Sequence, residues 1–171
     1  MIERNWPAGL APAAVVAALV SSAFLMVISG SATSAAPPFE MVKGSWSGGG
    51  NLTLEEGISE KLSCKGYYTS SSGGQSLGVA LRCNGETNKF ELRSHLSYDQ
   101  GKVSGTWEER TYNASGGTSG ELKPGHLTLD FHGGVAGSMS VDFSASSQSI
   151  AISIATNGAT VAGAKISLRR N

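Results

Sequence analysis

The sequence predicts an all-β domain, an antiparallel up-and-down meander of about nine to ten strands closed into a barrel. Three observations predict it. From Lys43 onward apolar and polar residues alternate, as in Leu77, Val79 and Leu81 against Gly78, Ala80 and Arg82. Short Gly-, Asn- and Ser-rich turns interrupt the alternation, so successive strands are neighbours. No stretch beyond Lys43 carries a helical period. A period of two marks a strand with one buried and one wet face. A meander of this many twisted strands tends to close and so remove its edges. The alternative is a two-sheet sandwich.

The chain divides into residues 1–35, a flexible tail expected over 36–42 and a single β-barrel domain with one disulfide over 43–171. Arg4 lies in a polar start, an apolar run spans residues 11–28, and small residues follow up to Ala36. That order is a secretory signal peptide, with cleavage expected after Ala35 and Thr33 and Ala35 filling the small-residue positions. Cleavage after Ala36 would leave Pro37 behind the scissile bond. The rival reading is a retained membrane anchor, although Pro12 interrupts the run. The mature chain of about 135 residues suffices for one core. The protein is expected in the periplasm or secreted.

The hairpins follow from their turns. Gly73-Gly74 is a favoured two-residue turn because both positions accept positive φ. Cys64 and Cys83 lie at equal distances from it, so they face each other and form a disulfide. The same register sets Tyr68 against Val79 and Gly66 against Leu81. Glu55-Glu56-Gly57 pairs Leu54 with Ile58, which brings Trp46 opposite Gly66 and Gly48 opposite Cys64. Gln100-Gly101 pairs Tyr98 with Val103, Leu96 with Gly105 and Ser94 with Trp107. Leu127, Leu129 and Phe131 share a face, as do Met139, Val141 and Phe143, then Ile150, Ile152 and Ile154, and last Ile166 and Leu168. Between Tyr112 and Gly120 the pattern fades, and a strand at Glu121-Leu122 is only weakly marked.

The 13 basic and 13 acidic residues balance, and no basic run occurs, which argues against a nucleic-acid partner. Lys61, Lys65, Lys89, Glu91, Arg93, Lys102, Glu108, Arg110, Asp130, Asp142 and Lys165 face outward. A transmembrane barrel needs the opposite polarity, so the domain is not expected to be an integral membrane barrel.

Gly44-Ser45-Trp46-Ser47-Gly48-Gly49-Gly50 opens the first strand, and Arg170 shares a face with Ile166 and Leu168 in the last. In an even-stranded closed meander these strands are neighbours, which brings Arg170 over Trp46 as a cation–π pair at the barrel's closed end. With these residues the chain resembles the calycin-type barrels, the group of lipocalins and avidins, whose hallmark is an early Gly-x-Trp and a late Arg across it. The glycine-rich opening is also similar to that of nitrobindins. As a whole the mature chain resembles small exported alphaproteobacterial proteins of unknown function. The resemblance supports a barrel more than any particular ligand. It does not extend to haem, because the late histidine that nitrobindins use has no counterpart after His132.

Chemistry-bearing clusters are sparse. His126 and His132 are spaced about 20 Å apart along one strand, too far to share a metal. Both point outward, as does His95, and no Ser/His/Asp grouping assembles. A two-cysteine metal site has no further ligands. Catalytic residues, metals and cofactors are therefore not expected. Glu60, Ser94, Glu109 and Arg170 fall on the inward face, where charges must be paired, sit at the rim or serve a ligand. If a pocket exists, Tyr68, Ser94, Tyr98, Trp107 and Glu109 are expected to line it, and aromatic walls with few polar anchors suit a small amphipathic molecule. The expected function is a non-catalytic binder of such a molecule. The alternative is a protein-binding or enzyme-inhibitor module that uses residues 112–120 and 35–41 as contact elements.

Overall fold

The computed structural model describes residues 38–155 and 159–171. Its strands are β1 (Gly44–Leu54), β2 (Ser59–Ser71), β3 (Ser76–Asn84), β4 (Lys89–Asp99), β5 (Lys102–Glu109), β6 (Ala114–Lys123), β7 (His126–Gly133), β8 (Gly137–Phe143), β9 (Ser147–Ile154) and β10 (Val161–Arg170). Each pairs antiparallel with its neighbour in sequence, and β1 pairs with β10, so the ten strands form one closed barrel. The sandwich is thereby excluded. The expected leader over 1–35 lies outside the described residues.

Turn chemistry fixes the register. In the β2–β3 hairpin Gly73 and Gly74 both take positive φ (63° and 86°), and the Gln75 N–H donates to the Ser72 carbonyl at 3.3 Å. That turn puts Cys64 opposite Cys83, with Cα atoms 4.1 Å apart and the sulfurs bonded. Leu54 and Ile58 are joined across Glu55-Glu56-Gly57, and Trp46 meets Gly66. On its other side Trp46 is paired with Arg170. Gly48 and Gly50 serve this seam directly. A Cβ on either would stand 2.0 Å from a β10 carbonyl oxygen, so only glycine lets β1 coil this tightly against β10.

Inward-facing residues of all parts of the meander meet in one core. Leu81, Leu92, Val141 and Ile152 belong to the same apolar cluster. Outward positions such as Lys65, Arg82, Asp130 and Lys165 are exposed. This polarity is the reverse of a membrane-spanning barrel. Among the described residues no helix is long and apolar enough to cross a membrane.

Two expectations are corrected. Residues 114–123 are not a fading loop but the full strand β6, paired along its length with β5 and β7. Its glycines carry no apolar signal because neighbouring side chains fill its face. The Trp107 indole N–H donates to Gly117 O (3.1 Å) and His132 O (3.2 Å), and Phe131 packs edge-on against Trp107 at 5.8 Å. The second concerns the described part of the tail, residues 38–42. Phe39 is 2% exposed, its N–H donates to Gly74 O at 3.1 Å, and Glu40–Val42 form a 3-10 turn. Phe39 and Val42 are core residues, held because burying a phenyl ring and a branched chain outweighs leaving them in water.

Candidate functional site

Odd strands start, and even strands finish, at the same end of the barrel. That end, the floor, is sealed by the segment from Phe39 to Val42. Trp46 is fully buried there and its indole N–H donates to Val42 O at 2.8 Å. Arg170 stacks over the indole with Cζ 4.5 Å from the ring centroid. Its guanidinium donates to the carbonyls of Met41 and Lys43 before β1 and of Ala145 between β8 and β9, so one side chain ties two segments to β10.

At the opposite end, the mouth, two inward-face carboxylates are consumed by turns. Glu60 accepts hydrogen bonds from the Thr87 N–H (2.6 Å), the Asn88 N–H (3.1 Å) and the Asn88 side chain (2.6 Å). The Asn88 amide and backbone bonds, with those of Thr87, hold the Glu60 carboxyl at about 2, well below its ordinary value. Glu109 accepts from the N–H groups of Glu91 (2.7 Å), Thr111 (3.1 Å) and Tyr112 (2.6 Å). Tyr112 donates its hydroxyl to Asn88 (3.3 Å); burial first, then Glu109 and Glu60, push its phenol up. Both carboxylates thus hold loops rather than stand free for proton transfer.

Between floor and mouth lies a cavity of about 470 Å³. Phe39, Val42 and Gln148 line it toward the floor, and Phe90, Tyr112, Val135 and Ile154 toward the mouth. Its middle is walled by Leu, Ile, Val, Met139 and Trp107.

Four of the five sequence-expected pocket residues, Tyr68, Ser94, Trp107 and Glu109, line this cavity. Tyr98 does not; its ring packs edge-on against Phe39 at 6.4 Å and so supports the floor. Tyr68 is buried, its ring covers Gly66, and burial pushes its phenol up. Ser94 donates its hydroxyl to Thr106 O at 2.8 Å. Gln148 escaped sequence reasoning. It is 5% exposed, and its side-chain nitrogen is buried without a hydrogen-bond partner. Its signal was the alternation Gln148, Ile150, Ile152, Ile154, which places it on the inward face. Among the described residues no group of three or more His, Cys, Asp or Glu could hold a metal.

Fold and site together define a closed, ten-stranded up-and-down barrel, sealed at one end and hollow along its axis. No protein family matches the sequence, and no curated protein does either. Solved structures do match. Rv2717c from M. tuberculosis superimposes with a TM-score of 0.63 at 12% identity, over 77% of this chain and 94% of that one. The S-type phycobiliprotein lyase CPES from Guillardia theta gives 0.60 at 11% identity, over 78% and 90%. Both are β-barrels of the calycin-like, lipocalin-type fold. The likeness is one of fold.

Proposed function

We propose that this protein is an exported, non-catalytic binder of a small, largely apolar ligand held inside the barrel. The observation that carries the reading is the cavity. Its volume of about 470 Å³ falls within the range of small-molecule sites, and its walls are apolar with few polar groups. A filled barrel would have argued for recognition through the outer surface. The disulfide supports an oxidising compartment, in keeping with the leader read from the sequence. The rival protein-binding reading is less favoured, since residues 114–120 are strand rather than a free loop and Phe39 and Val42 are buried.

Native mass spectrometry of protein purified from its own source tests the reading, together with titration of the hydrocarbon dye diphenylhexatriene. A co-purifying small molecule, or saturable dye binding near one equivalent, is the expected result. Absence of both would end the proposal.

A further inference from the structure

Among the described residues that line the cavity, Gln148 has a side-chain nitrogen that is buried with nothing to bond. Gln148 is the second residue of β9, paired with Leu168 of β10 and Phe143 of β8, both apolar. Its side-chain nitrogen is a neutral donor buried without an acceptor, an arrangement that costs stability until something bonds it. The Tyr68 hydroxyl, on the floor half of the same wall, also makes no hydrogen bond to any described residue. Ser94, Thr118 and Glu109 are engaged: Ser94 with Thr106 O, Thr118 with Asp130 O, and Glu109 with three backbone N–H groups. Positive charge is missing from the floor of the cavity. Lys89 lines the mouth, and Arg170 is not among the lining residues and is committed to three carbonyls.

We infer that Gln148 is the ligand's polar anchor, and that the ligand enters with an uncharged hydrogen-bond acceptor, a carbonyl oxygen, leading toward the floor and its hydrocarbon body toward the mouth. The inference rests on the ligand-binding reading above and deepens it. An acceptor oxygen at Gln148 satisfies the buried amide. A carboxylate there would be buried without a countercharge, which costs far more than an amide–carbonyl bond returns. A pure hydrocarbon would leave the amide unbonded.

Three naphthalenes of near-equal shape test this: 2-ethylnaphthalene, 2-acetylnaphthalene and 2-naphthoate, titrated calorimetrically into the full chain and into Gln148→Met. The ketone should lose about three- to tenfold in affinity in the variant, the scale of one hydrogen bond, while 2-ethylnaphthalene binds as well or better. In the wild-type protein the infrared carbonyl band of bound ketone should lie at lower wavenumber than in hexane, a readout that needs no variant. Equal ketone affinity in both proteins, an unshifted carbonyl band, or naphthoate binding more tightly than the ketone at pH 7 would each overturn the anchor. If 2-ethylnaphthalene binds while these occur, only the anchor falls. If none of the three binds the wild-type protein, the ligand-binding reading falls and takes the anchor with it.

Discussion

The two ends of the barrel solve one problem in opposite ways. Each has charge on the inward face, and each satisfies it with backbone. At the floor a cation, Arg170, gathers three carbonyl oxygens from two segments beside Trp46. At the mouth two anions, Glu60 and Glu109, gather N–H groups from the turns beside them. The arginine crosses between distant segments and closes its end. Each carboxylate folds a turn back onto the wall and leaves the axis clear. Sign decides the difference: the guanidinium has only donors and collects carbonyl oxygens, whereas each carboxylate has only acceptors and collects the N–H groups of a neighbouring turn.

The comparison can be broken first at the floor. Trp46→Ala should destabilise the protein by about 3–5 kcal/mol, because it empties a fully buried site that Arg170 and Val42 both use. Urea denaturation measures it, and an unchanged midpoint would show that the floor is not sealed by the indole. Next comes the clasp along the wall. Replacing Cys64 and Cys83 with alanine should cost about 3 kcal/mol, as expected for a cross-link of this loop length. Intact mass should show no free thiol in the wild-type protein.

A smaller effect of opposite sign is expected at Gln148. Gln148→Met should stabilise the ligand-free protein by about 1 kcal/mol, read as a higher Tm, because it removes a buried donor without a partner. The smallest effect sharpens the mouth. Glu60 titrates at about 2 in the folded chain against 4.5 ordinarily, so its contribution is complete above 4.5 and disappears as pH falls through 2. The protection factors of the Thr87 and Asn88 amides, exchange relative to the intrinsic rate at each pH, should therefore hold down to pH 3 and fall below it. In Glu60→Gln that fall should be absent.

The floor was largely legible in the sequence, and the cavity less so. Trp46 against Arg170 follows from turn symmetry and an even strand count, because register in an antiparallel sheet is a matter of counting. Tyr68, Ser94 and Trp107 follow from alternation alone. β6 did not, because Gly116, Gly117 and Gly120 lend no side chain to any periodic pattern; the signal for that face lies in Trp107 and Phe131 on its neighbours. Phe39 lies outside any strand, so no periodicity could announce its burial. Tyr98 alternates correctly and still misses the cavity, since Phe39 covers it. Gln148 was placed inward by the same alternation as Ile150, but its importance depends on having no partner, a property of the packed interior alone.

Pairing of the first strand with the last has a kinetic consequence. Trp46 finds its partner 124 positions later, at Arg170, so hairpins can zip locally while the ring itself stays open until the C terminus is available. Such long sequence separation slows the final step. Removing the last turn of chain should thus yield a collapsed, unlatched sheet with two free edges, prone to self-association, rather than a slightly shortened barrel.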